Sequence, residues 1–194
     1  MLTQLAVKAR SRHARGEIDL HLYEGQRFDE QRGCWVLYLA VSLMDARCRG
    51  RVRLTSPDPA ATLDIDHGYF SELADLEAMG EGVELALGLV ATPPLAEVLE
   101  PGSGFTPPAG GREGLRAWIR EEAGTTFHPC GTCRMGPADD PGAVVDHAGR
   151  VHGLDGLRVA DAAIFPTSPR ANLHCTVVAA AEKLADAIRH DNAV

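Results

Sequence analysis

The chain has 194 residues, 45% of them hydrophobic and 24% charged, which suits one soluble globular domain or little more and excludes intrinsic disorder. Its 19 basic residues against 27 acidic ones leave a net charge of −8, and no nucleic-acid surface is expected, since that needs clustered lysine and arginine. The longest apolar run, Trp35 to Met44, is about half of what a membrane helix needs. Met1 to Lys8 holds no apolar stretch of signal-peptide length, so secretion is not expected. Five cysteines, an odd number, then read as reduced thiols in a cytoplasmic protein.

Residues 1–16 read as a helix or loop carrying a basic, solvated surface at Lys8 to Arg15. Ile18 to Tyr23 alternates apolar and polar residues, the period of a half-buried strand. Trp35 to Leu43 is apolar on both faces, which predicts a central strand. Arg49 to Thr55 alternates again and is ended by the turn residues Ser56-Pro57-Asp58-Pro59. Thr62 to Asp66 is a further short strand. Ser71 can cap a helix running to about Val90, with Leu73, Leu76, Met79, Val83, Leu87 and Val90 at helical spacing. Gly80, Gly82 and Gly88 weaken it by up to about 1 kcal/mol each relative to alanine, so tertiary packing must hold it. Pro93-Pro94 stops it, Pro101 to Gly111 is a loop, and Arg112 to Glu122 predicts a helix with Leu115, Trp118 and Ile119 on one side. Val144 to Asp146 and Arg150 to His152 flank a turn at His147 to Gly149. Leu157 to Asp161 reads as a buried strand. Residues 175–190 predict a last helix with Val177, Ala181, Leu184 and Ile188 inward.

Chemistry concentrates in three pieces: Phe127 to Gly136 with His128, Gly156 to Phe165 with Asp161-Ala162, and Pro166 to Cys175 with Asn172. An imidazole has an unperturbed pKa of about 6.5 and suits proton transfer near neutrality, although a lone histidine before Pro129 and Gly131 is more often a structural loop residue. Asn172 cannot titrate. Its amide can hydrogen-bond an oxygen, or it can cap the helix that follows. The unpaired amides at that helix start favour an anion nearby. Asp161 ends a predicted strand, where ligands bind in such sheets, or simply terminates it. Cys130-Gly131-Thr132-Cys133 is the spacing of redox and zinc motifs, but no second such pair follows and the strand-then-helix context of a thioredoxin site is missing. Asp146, His147 and His152 flank a turn and make a weaker metal candidate, so no metal is expected.

These three pieces, in this order and spacing, resemble the C-terminal part of the glucose–methanol–choline (GMC) oxidoreductase family, which uses FAD to oxidise alcohols. The resemblance is strongest over residues 124–190 and continues back to about residue 17, where Arg49-Gly50-Arg51-Val52 resembles the family's Arg-Gly-x-Val strand. It implies an α+β fold, with residues 1–16 as an N-terminal start, 17–156 as an antiparallel substrate domain carrying the His128 loop, and 157–194 as a strand and helix that normally join the FAD domain. It implies His128 as the general base and Asn172 as its partner in fixing the substrate oxygen. It also implies that Asp161 and Ala162 approach FAD, and that Leu173, His174 and Cys175 face the pyrimidine side of the flavin. The family commonly has an Asn-x-Asn-Ala-Pro-like run where this chain has Asn172-Leu173-His174-Cys175-Thr176, which leaves His174 open to the flavin, the substrate or the interior. No G-x-G-x-x-G follows a strand, and Met1 falls where the family has continuous chain. The dinucleotide-binding region is therefore expected to lie outside this chain, which alone should not retain FAD, and an FAD-binding chain is one partner the resemblance allows. The expected activity is choline dehydrogenase-like oxidation of a small alcohol, by the C-terminal part of such an enzyme. The alternatives are a subunit of a split enzyme and a truncated, non-catalytic remnant.

Overall fold

The computed structural model describes residues 5–100, 102 and 104–191. Residues 1–4 of the expected N-terminal segment, Pro101 and Ser103 of the expected loop, and 192–194 of the expected terminal segment lie outside them. The fold is α+β, with antiparallel sheets and packed helices. The chain divides into two compact units: residues 1–50 with 67–124, and residues 51–66 with 125–194. The His128 loop thus groups with the terminal helix.

The first unit is a three-stranded antiparallel sheet, β1 (Ala6–Ala9), β2 (Leu20–Asp29) and β3 (Cys34–Leu43), in that order. The N-terminal segment is a strand rather than a helix or loop because β2 offers it an edge, with Ala9 opposite Leu20 and Val7 opposite Leu22. The sequence places β3 in the middle of a sheet; the structure puts β2 there. One face of β3 (Leu39, Val41 and Leu43) packs with Leu20 and Leu22 into a core, while Trp35 and Leu37 toward the hairpin end stay exposed. The hairpin closes on Asp29, whose carboxylate accepts the Gln31 and Arg32 amides at 3.0 and 3.1 Å and whose carbonyl accepts that of Gly33 at 2.8 Å.

Helix α1 (Leu73–Val90) covers the core face. Its N-cap position is Glu72, without a side-chain bond. Ser71 sits one residue too early, its amide closing a turn on the Gly68 carbonyl. The buried face is Asp75, Leu76, Ala78, Gly82 and Ala86, and Leu73 is exposed. Small residues replace the expected large ones because the helix lies close against the sheet: a Cβ on Gly82 would come within 2.5 Å of the Val41 side chain. Asp75 is buried with partners, accepting the Arg47 amide at 2.8 Å and the Cys48 amide at 2.7 Å. Burial, then the hydrogen bond to Asp75, pushes the Cys48 thiol up. After the short helix α2 (Pro93–Ala96), helix α3 (Gly111–Glu122) buries Ile119 and packs on α1.

The second unit begins with a two-stranded ribbon, β4 (Arg51–Arg53) and β5 (Asp64–Asp66). Both strands are shorter than their alternation suggests. Val52 pairs with Ile65 and both are exposed, so nothing in this ribbon rewards longer pairing, and two strands alone are marginal. The expected buried strand at Leu157 to Asp161 is absent. A strand needs a continuous partner, and among the described residues this segment has a single bridge from Arg158 to Arg150, flanked by a bond from the Val151 amide to the Leu157 carbonyl at 3.1 Å and one from the Val159 amide to the Gly149 carbonyl at 2.9 Å. Leu157 is exposed, and the chain turns instead into a single 3-10 turn at Ala162–Ile164. Helix α4 (Leu173–Asp191) begins two residues before the expected start. Its inner face supplies Leu173, Val177, Ala180 and Leu184 to a core with Val145, Ile164 and Phe165. No described helix is long and apolar enough to cross a membrane.

Candidate active site

The site is built within the second unit by two stretches without regular secondary structure. Phe127 takes a left-handed backbone, φ 59°, held by its amide donating to the Thr125 hydroxyl at 2.9 Å. That kink presents the next residue, His128, which is half-buried. Beyond Pro129 the chain enters a ladder against the 3-10 turn. The Gly131 amide donates to the Ala162 carbonyl at 3.2 Å, that of Cys133 to Ala163 at 3.0 Å, and that of Met135 to Ile164 at 2.8 Å. Gly131 has φ +86°, and a Cβ there would stand 3.0 Å from the Phe165 carbonyl oxygen, so this close approach needs glycine.

The turn itself is fixed by Asp161, whose carboxylate accepts the Ala163 amide at 2.7 Å. Asp161 remains exposed and Ala162 is half-buried. From Ile164 and Phe165, both buried, the chain crosses residues 166–172 to α4. Asn172 directly precedes the first helical residue and is exposed, as are His174 and Cys175. Leu173 points into the core, so its amide, and not its side chain, is what it can offer a ligand. The His174 side chain lies at the surface of this chain. Cys130, two residues from His128, packs on the same core as Leu173. One hydrophobic cluster and one backbone ladder therefore anchor both the His128 loop and the start of α4.

The surrounding charges are tied up in structure. The Arg134 guanidinium, then the Gly142 amide, hold the Asp140 carboxyl below the usual carboxylate range. Burial pushes Asp146 up, but the Arg150 and Ala148 amides outweigh it and the net shift is downward. Asp191, in the last turn of α4, is lowered by hydrogen bonds from Arg150 and Arg158. Asp146 serves its turn, accepting the Ala148 amide at 2.8 Å and the Arg150 amide at 2.9 Å. His152 Nε2 lies 3.0 Å from the Gly136 carbonyl oxygen. Among the described residues no three metal-ligating side chains gather, and Cys130 and Cys133 are half-buried thiols outside any disulfide. The Arg134–Asp140 pair is the feature that sequence reasoning missed.

A sequence profile described as GMC oxidoreductase matches residues 46–181. The oxygen-dependent choline dehydrogenases of Chromohalobacter salexigens and Proteus mirabilis are each 40% identical to this chain over 153 residues, which cover 77% of this chain and 26% of theirs. Pyridoxine 4-oxidase from Mesorbium loti superposes with a TM-score of 0.77 at 29% identity, over 95% of this chain and 37% of that one. Formate oxidase from Aspergillus oryzae gives 0.81 at 27% identity, over 91% and 32%. The chain spans about a quarter of the length of the curated relatives it matches. With that profile matched over most of its length and these relatives at 40% identity, the chain belongs to the GMC oxidoreductase family.

Proposed function

We propose that this chain is the C-terminal, proton-accepting part of an FAD-dependent GMC-type oxidoreductase acting on the CH–OH group of a small alcohol. One observation carries the reading: the backbone ladder from Gly131 to Met135 lays the His128 loop along the turn that leads to Asn172. An alcohol becomes a carbonyl by losing its hydroxyl proton and a hydride from carbon. His128, outside any helix and half-buried, accepts that proton; base catalysis of this kind contributes about 10²–10⁴-fold. The exposed Asn172 amide donates to the substrate oxygen and fixes its orientation.

FAD, when bound, supplies the hydride acceptor. The residues present fit one end of it. The exposed start of the 19-residue α4 offers free first-turn amides to a ring system that gains negative charge on reduction, with His174 and Cys175 beside it and Asp161-Ala162 at the neighbouring turn. None of them forms the glycine-rich turn that receives a pyrophosphate. That region belongs to an FAD-binding partner or further sequence. The likeness to choline dehydrogenases supports a small alcohol as the substrate class. The test is reconstitution with an FAD-binding region of the family, followed by alcohol-dependent bleaching of the flavin. His128→Ala should slow bleaching by about 10²-fold or more, and bleaching at the unchanged rate would reject the reading.

A further inference from the structure

We infer that the Arg134–Asp140 ion pair is a positioning device that sets the His128 loop in place, an inference that rests on His128 being the base. The pair is bidentate: Arg134 Nη1 and Nη2 each donate to a carboxylate oxygen of Asp140 at 2.8 Å. Such forks fix geometry as well as charge. Asp140 is itself held, its carboxylate accepting the Gly142 amide at 2.9 Å and its own amide donating to the Pro137 carbonyl at 3.1 Å. The loop of residues 136–143 closes tightly round the guanidinium. A Cβ on Gly142 would stand 2.2 Å from Arg134 Nη2, and one on Gly136 would stand 2.9 Å from the Ala143 Cβ.

Arg134 is also gripped by its backbone. Its carbonyl accepts the Val144 amide at 2.9 Å and the Val145 amide at 3.4 Å, and the Gly136 amide returns a bond to the Val145 carbonyl at 3.0 Å. Val145 is fully buried in the core. Arg134 therefore joins the bridge segment at the buried Val145 to the ladder, standing between Cys133 and Met135, whose amides engage the 3-10 turn. Exposed ion pairs contribute little stability, and both partners here are about one-third exposed. What the clasp fixes is register. Losing it frees residues 136–143 and lets the ladder slide, and small misplacements of a catalytic group can cost about 10²-fold in rate.

Hydrogen exchange on the chain itself tests this. In Arg134→Met and in Asp140→Asn, the Gly131, Cys133 and Met135 amides should exchange about tenfold faster, while those from Val177 to Leu184 stay within about twofold, since exchange reports local opening. Arg134→Lys, which keeps the charge and loses the fork, should fall between. Unchanged ladder amides, or equal acceleration in α4, would overturn the inference, the second by showing general destabilisation. In a flavin-loaded complex, Arg134→Met should lower kcat about tenfold with KM within about twofold, the pattern of lost transition-state positioning, and Asp140→Asn added to it should lower kcat no further. A raised KM at full kcat would also overturn it. If His128→Ala keeps full turnover, the base assignment fails instead, and the exchange result separates the two failures.

Discussion

The amide of Gly131 donates to the carbonyl of Ala162 at 3.2 Å, and this bond ties the segment that bears His128 to the residue beside Asp161. It is made at φ +86°, with the Phe165 carbonyl 3.0 Å from where a Cβ would be. Left-handed backbone costs an L-residue about 1–2 kcal/mol, so Gly131→Ala should destabilise the chain by at least that much in denaturant unfolding. Gly33, at φ +64° in open space, is the control. Gly33→Ala should cost only the conformational part, and equal losses at the two positions would show that the Phe165 contact is irrelevant.

Two glycines of α1 should respond with opposite signs. Gly88 has helical backbone and nothing within 4 Å of a Cβ, so Gly88→Ala should stabilise by about 0.5–1 kcal/mol. Gly82→Ala would drive a methyl to within 2.5 Å of Val41 Cγ1 and 3.2 Å of Leu20 Cδ2, and should destabilise despite the better helix propensity. Urea midpoints of the two variants decide the matter; a stabilising Gly82→Ala would contradict the close packing of α1 on the sheet.

How much of this was legible in the sequence varies with the kind of interaction. The first part of β2 and α4 were readable because their apolar residues repeat at the period of the element, and β3 was readable as an apolar run, though not its place at the edge of the sheet. β1 was not, because Ala6-Val7-Lys8-Ala9 is too short to show a period and takes its form from the edge of β2. Val159 misled in the opposite direction: an apolar run promised a strand, but its amide bonds the Gly149 carbonyl and the run makes a single bridge among the described residues, from Arg158 to Arg150. The site was legible through motif resemblance rather than local physics, since nothing around His128 alone distinguishes a base from a loop histidine. Arg134 and Asp140 pair across six positions of irregular chain, and no periodicity announces such a clasp.

Acid should loosen the second unit along a defined path. Asp191 joins α4 to Arg150 at 2.6 Å and also to Arg158, and both it and Asp140 have depressed folded-state pKa values. A depressed carboxyl contributes stability that is present above its unfolded pKa, about 3.9, and is lost as pH falls through the folded value. Between pH 5 and the acid limit, the last turn of α4 and the 136–143 loop should therefore open before the β2–β3 sheet, followed by residue-resolved exchange or NMR. Asp191→Asn should make the helix terminus open at neutral pH and flatten its dependence on acid. An unaltered acid profile in that variant would remove the latch from the account.

The cofactor makes a separate prediction. Purified in excess FAD and desalted, this chain alone should show no stoichiometric flavin band, because none of its segments supplies the glycine-rich turn that receives the pyrophosphate. Retention of one flavin per chain would mean that the α4 start and the Asp161 turn bind far more of the cofactor than one end.

The most direct test of the central claim, that His128 takes the proton, is the pH dependence of flavin reduction under single turnover. It is read in the reconstituted complex with saturating alcohol, for the unaltered chain and for His128→Ala, Asn172→Ala and His174→Ala. The account predicts that reduction in the unaltered complex rises with pH through one ionisation, as removal of a proton from the base requires. His128→Ala should lose that ionisation and about 10²-fold or more in rate. Asn172→Ala should keep the ionisation and reduce more slowly, and His174→Ala should keep both to within about tenfold. A profile that survives in His128→Ala and vanishes in His174→Ala would contradict the assignment and transfer the proton to the other imidazole.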